Sequence, residues 1–168
     1  MTLPPQTVLT IGSATTAFDI PTDCYDHTAS PRTTLAVRTP TYILPLSYVC
    51  HPRSLGAYDG PLDIATTDQL FLTLPSIIDA QLARDLVASF AAKEPDRYAA
   101  LAAAGFPVVD SRDGSAVLMH NLIERAGGHY VDVGETALLA EGKAGVEAGT
   151  EPVGWTEGAL RFGDGSEV

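Results

Sequence analysis

A chain of 168 residues, 45% apolar and 18% charged, has the length and composition of one globular domain with a sizeable core, and is too apolar for a disordered segment. Its formal net charge of −11, with ten basic residues and no basic run, repels nucleic-acid phosphates and anionic lipid, so neither is expected as a partner. Cys24 and Cys50 form no C-x-x-C pair and predict neither a disulfide framework nor a zinc site.

Met1 to Pro5 carry no basic start followed by an apolar core, and no apolar run approaches the roughly 18 residues of a membrane helix, so a cytoplasmic protein is expected. Val8, Leu9 and Ile11 then form a compact apolar run that predicts a buried parallel strand. Gly12, Ala14 and Ala17 follow in the three slots of a G-x-G-x-x-G/A fingerprint, which serve a tight turn, close approach of a pyrophosphate, and helix-on-strand packing. Ser13, Thr15 and Thr16 add hydroxyls beside the free amides of a helix N-terminus. Alanine in the middle slot adds a methyl where the phosphate would approach. A helix is predicted from Thr15 to about Thr28, kinked or restarted near Ile20 because Pro21 removes a backbone hydrogen bond.

Thr33 to Arg38 reads as a second strand with Arg38 at its end, roughly 20 residues past the fingerprint, where dinucleotide folds place the residue that reads the ribose. An acid there favours a free 2′-hydroxyl; arginine with Thr39 beside it favours a 2′-phosphate, hence NADP over NAD. Arg32, Arg38 and Arg53 are candidates for a local basic pocket on this acidic chain. The alternative for each is a solvated surface arginine.

Pro, Gly, Tyr and Ser dominate Thr39 to Asp63, which predicts a long ordered loop, with Tyr42, Tyr48 and Tyr58 pinning it to the core or lining a groove. Helices are predicted over Thr66 to Leu74 and Ser76 to Lys93, the second burying Ile78, Leu82, Leu86 and Phe90. Pro95 suits the first turn of a third helix stopped by Gly105, and Ser115 suits the cap of a fourth with a core stripe of Leu118, Met119, Leu122 and Ile123. His27, His51, His120 and His129 stand in settings where packing or hydrogen bonding outweighs catalysis, and Cys24-x-x-His27 is too sparse for a metal. Short strands are predicted over Ala144 to Glu147, Pro152 to Thr156 and Ala159 to Phe162, with a tight turn at Asp164-Gly165. The short arm left after that turn predicts that the chain is part of something longer.

With these residues assembled, nearly the whole chain resembles flavin-dependent monooxygenases of the flavin-containing monooxygenase type, in a fungal-looking branch. The segments that carry the resemblance are Gly12-Ser-Ala-Thr-Thr-Ala-Phe-Asp-Ile20, Val37-Arg-Thr-Pro-Thr-Tyr42, Gly127-Gly-His-Tyr-Val-Asp-Val-Gly134, Gly142-Lys-Ala-Gly-Val146 and Leu160-Arg-Phe-Gly-Asp-Gly-Ser166. The resemblance implies an α/β, Rossmann-like three-layer NAD(P)-binding fold with extra helices, an incomplete part of a flavoprotein with two dinucleotide-binding domains. Residues 1–168 would form a single NAD(P)-binding domain, with 142–168 resembling the connection back to an FAD domain. It implies NADPH and FAD as cofactors, with Gly12, Ser13, Ala14, Thr15, Thr16 and Ala17 cradling the pyrophosphate and Arg38 with Thr39 holding the 2′-phosphate; no catalytic residue and no metal ligand carries over.

The family's FAD fingerprint, its F-x-G-x-x-x-H-type signature and its A-T-G strand have no counterpart in the sequence, so the isolated chain is expected to be inactive. The competing expectation is a degenerate or truncated module that packs on another flavoprotein chain. A free-standing dehydrogenase is disfavoured, because no Tyr-x-x-x-Lys or paired His/Asp constellation is present.

Overall fold

The structure is a computed structural model that describes residues 7–27 and 32–168. The expectations for Met1 to Pro5 and for a helix end at Thr28 lie outside the described residues. The chain is mixed α/β and divides into two compact units, one of residues 1–41, 98–108 and 134–168, the other of 42–97 and 109–133.

The first unit begins with β1 (Thr7–Ile11), α1 (Thr15–His27) and β2 (Arg32–Val37). β1 and β2 are adjacent and parallel, with Thr7 opposite Arg32 and Ile11 opposite Ala36, but β1 is not the buried strand that its apolar run predicted: it lies at the edge of its sheet, with Val8 and Leu9 half-buried and Ile11 60% exposed. α1 continues through Pro21 without a break, against the expected restart near Ile20. Pro21 is buried, and Thr22 donates its hydroxyl to the Phe18 carbonyl one turn back. Burial of Ala17, Phe18 and Pro21 on one face offsets the hydrogen bond that the proline removes.

Later segments complete this unit. β5 (Gly145–Ala148) joins β2 in parallel, so the order is β1-β2-β5 with β2 in the centre. Leu35, Ala36 and Val37 are all buried, the pattern of a strand covered on both faces. β6 (Pro152–Trp155) and β7 (Leu160–Phe162) form an antiparallel hairpin, and Leu160 and Phe162 pack on Leu9 and Ala36 of the sheet. The turn at Asp164-Gly165 forms as predicted, with Gly165 at φ 92° and the following arm returning so that Leu160 and Val168 exchange backbone hydrogen bonds. Two short helices, α5 (Ala99–Ala103) and α6 (Thr136–Ala140), pack together. α5 starts four residues after Pro95, so that proline opens a run of turns instead of the helix.

The second unit is built on β3 (Tyr42–Pro45) and β4 (His129–Asp132), a parallel pair with Tyr42 opposite His129. The predicted long loop over Thr39 to Asp63 therefore contains a strand, the one-turn helix α2 (Leu46–Val49) and a 3-10 turn at Leu55–Asp59. Its tyrosines anchor it: Tyr42 and Tyr48 join Leu44, Val87, Phe90 and Ala116 in the core, while Tyr58 stacks on Phe71 and donates to Asp68.

α3 (Ile64–Leu72) is capped by Asp63, whose carboxylate accepts from the Thr66 amide and is held below its usual range by the Thr66 hydroxyl and amide. α4 (Ser76–Ala91) buries only its C-terminal half, at Val87 and Phe90. Ile78 and Leu82 of the predicted buried stripe are 42% and 55% exposed. The predicted helix after Ser115 is a π-helical turn at His120–Glu124 that leaves Leu122 and Ile123 exposed, and Ser115 bonds Asp113 instead of capping it.

Candidate functional site

Parallel pairing sets the geometry of the predicted nucleotide turn. With Ile11 opposite Ala36, the turn that follows β1 and Arg38, just beyond the end of β2, emerge at the same carboxyl end of adjacent strands. That end of an open parallel sheet is where α/β folds bind ligands.

Gly12 sits at φ 125°, a conformation that side chains rarely adopt, and its amide donates to the Ala36 carbonyl at 2.9 Å, fastening the turn to β2. Ala14 is exposed and has no left-handed φ, so alanine in the middle slot adds no backbone strain there. Its carbonyl accepts from the Ala17 amide at 2.9 Å and opens the helix, while Ala17 is buried in the packing role of the third slot. Thr15 and Thr16 lie exposed in the first turn of α1, where backbone amides have no partner in the helical ladder. No acid lies in that turn, so the helix's own first residues do not offset the positive end of its dipole.

Ser13 is tied to a residue that the fingerprint does not include. Thr41, fully buried, donates its hydroxyl to Ser13 Oγ at 2.6 Å. The Thr41 amide in turn donates to the Pro107 carbonyl at 2.9 Å.

Arg38 stands exposed beyond the end of β2 with Thr39 beside it. Its Nη1 donates to Glu151 Oε1 at 3.0 Å, with the side chains 71% and 60% exposed. The sequence around Arg38 offers no acid; the fold brings one from residue 151, just ahead of β6. Such an exposed pair contributes about 0–1 kcal/mol, so an anionic ligand can displace the carboxylate at small cost.

Arg32 and Arg38, expected in one basic pocket, do not share one. Arg32 lies at the opposite end of β2 from Arg38 and lines a pocket of about 490 Å³ with Thr7, Lys143 and Glu167. Arg53 belongs to the second unit, where its guanidinium carbon lies 6.0 Å from the Phe90 ring centroid.

Two of the four histidines have partners in the second unit. The His51 ring lies 4.4 Å from Phe90 and accepts from the Arg53 amide, and His120 Nδ1 pairs with Glu124 at 2.5 Å. His129 Nδ1 is buried with no hydrogen-bond partner among the described residues. Among the described residues no group of three or more His, Cys, Asp or Glu is placed to hold a metal, and no helix is long and apolar enough to cross a membrane.

Two titratable groups of the second unit are strongly placed. Burial pushes the Tyr42 phenol up to about 12, and its hydroxyl has no partner among the described residues. Tyr48 donates to Glu94, whose carboxyl the Arg97 guanidinium holds below its usual range. A cleft of about 590 Å³ in this unit is lined by Ile77, Arg84, Met119, His120 and Ile123, among others, and includes none of the predicted nucleotide residues.

Thr41 and Glu151 are the two residues at this site that motif reasoning missed. Both reach it through tertiary contacts, across 28 and 113 residues of chain, and neither has a local signature. No protein-family model matches the chain, and no curated protein is significantly similar to it.

Proposed function

We propose that this chain is the NADPH-binding portion of a flavin-dependent monooxygenase, a Rossmann-like α/β element that binds NADP(H) and is inactive alone. The observation that carries the reading is the register of β1 with β2, which puts the Gly12–Ala17 turn and Arg38 at one end of neighbouring parallel strands. The turn supplies amides and hydroxyls suited to a pyrophosphate, and Arg38 supplies a planar cation suited to a 2′-phosphate. In such an enzyme NADPH gives a hydride to FAD, and the reduced flavin with oxygen oxygenates a small organic substrate; that chemistry belongs to the cofactors.

The chain's own residues bind and orient the nicotinamide nucleotide. Gly12 lets the backbone turn, Ser13, Thr15 and Thr16 face the phosphates, Ala17 seats α1 on the sheet, and Arg38 with Thr39 selects the ribose phosphate. FAD falls to a complementary domain or chain, because the sequence carries no second dinucleotide fingerprint. One observation favours a second reading, a non-catalytic module packed on another flavoprotein chain: Ala14 puts a methyl on the exposed face of the turn where a phosphate approaches.

Calorimetric titration of NADP(H) and NAD(H) into the purified chain, with a visible spectrum of the same sample, separates the two. Tighter binding of NADP(H) by a colourless protein supports the first reading. Absence of binding by either nucleotide supports the second, and equal binding removes the NADP assignment.

A further inference from the structure

We infer that Thr41 is a positioning residue for the pyrophosphate of a bound dinucleotide, acting through Ser13; this rests on the nucleotide-binding reading above. Ser13 follows Gly12 in the turn and is only partly buried. A hydroxyl has one proton to donate and two lone pairs to accept with. Thr41 Oγ1 lies 2.6 Å from Ser13 Oγ; with the threonine as donor, one serine lone pair is occupied and the serine proton is left for an acceptor outside the pair. Ser13 makes no other hydrogen bond among the described residues.

An anionic oxygen beyond the turn completes the chain from Thr41 through Ser13 to phosphate, and each bond polarises the next. Without Thr41 the serine hydroxyl rotates freely and its proton is no longer committed outward. Thr41 is itself firmly held, being fully buried, with its amide bonded to Pro107 and a parallel bridge to Val108. Its burial keeps it from the ligand, so it positions and does not bind.

The pyrophosphate is common to both nicotinamide dinucleotides, whereas the 2′-phosphate is not. Thr41→Val, which keeps the shape and removes the hydroxyl, should therefore weaken NADP(H) and NAD(H) by the same factor, roughly 2- to 10-fold for one lost neutral hydrogen-bond arrangement. Thr41→Ser should keep wild-type affinity, and Thr41→Val should add nothing in a Ser13→Ala background.

The test is calorimetric titration of both nucleotides into wild type, Thr41→Val, Thr41→Ser, Ser13→Ala and the double variant, with thermal melts of each. Matched losses for both nucleotides, recovered by serine and absent in the Ser13→Ala background, support the inference. Wild-type affinity in Thr41→Val overturns it while leaving the nucleotide reading intact, as does a loss in Thr41→Val that persists in full when Ser13 is already alanine. Failure of wild type to bind either nucleotide overturns the reading and this inference together. Should Thr41→Val not fold, Thr41→Ala replaces it; failure of both to fold makes the hydroxyl a stability group and overturns the positioning role.

Discussion

The two units of this chain expose their apolar residues very differently. In the first, the central strand β2 buries Leu35 at 0%, Ala36 at 4% and Val37 at 1% exposure, and α1 buries Phe18 against Phe106 with ring centroids 5.5 Å apart. In the second, the consecutive helices α3 and α4 leave Leu70, Leu72, Ile77 and Leu82 between 55% and 75% exposed. Both regions carry apolar residues at the spacing of their secondary structure. The lesson is that periodicity fixes the type of an element and the side that can be buried, while tertiary packing decides how much of that side is covered.

Paired substitutions in the two units test this contrast most strongly. Phe18→Ala should cost about 3–5 kcal/mol through lost transfer energy and a residual cavity. Leu82→Ala, in the exposed half of α4, should stay within about 0.5 kcal/mol of wild type. Urea denaturation of both variants checks this, and a Leu82→Ala cost approaching that of Phe18→Ala would break the contrast.

A second prediction sharpens the account of the second unit's core, which is closed where α4 meets β3. The Tyr42 phenol is raised from 10.0 to about 12 by burial, so the folded state keeps its proton when the unfolded state has lost it. This contribution is fully present below pH 10 and is lost as pH rises from 10 to about 12, a change of about 2–3 kcal/mol. Thermal melts across that window should show the loss in wild type and a flatter profile in Tyr42→Phe. Because the hydroxyl has no partner among the described residues, Tyr42→Phe should be neutral or stabilising at pH 7.

The smallest effect concerns the exposed Arg38–Glu151 pair of the first unit. Glu151→Gln removes a competitor for the guanidinium and a negative charge near an incoming phosphate, so NADP(H) should bind up to about 5-fold more tightly. Stability should move by less than about 1 kcal/mol. Unchanged or weaker NADP(H) binding in this variant would mean that the pair does not compete with the ligand.

The same contrast explains what could be read from the chain. The strand, turn, helix and second strand of the first unit were legible, because Val8 to Arg38 holds its signals locally: an apolar run, a glycine that must adopt φ 125°, and a basic residue at a strand end. The hairpin at Asp164-Gly165 was legible for the same reason. α1 passed through Pro21 because its buried face outweighed one missing hydrogen bond, a tertiary effect that propensity does not carry. β3 was hidden by flanking prolines, and β4 and α6 are only four and five residues long, too short for a periodic pattern to stand out. At the site, the fingerprint named the residues around Gly12, but Thr41 and Glu151 arrive through chain folding and could not be found by spacing.

Whether Arg38 reads a 2′-phosphate, as proposed above, is decided by calorimetric titration of NADP(H) and NAD(H) into wild type and Arg38→Ala. A forked, charge-assisted contact is worth about 1.5–3 kcal/mol, so the substitution should weaken NADP(H) roughly 10- to 150-fold and leave NAD(H) nearly unchanged. Equal losses for both nucleotides would show that Arg38 supports the fold through Glu151 instead of reading the cofactor, and an unchanged NADP(H) affinity would contradict the claim outright.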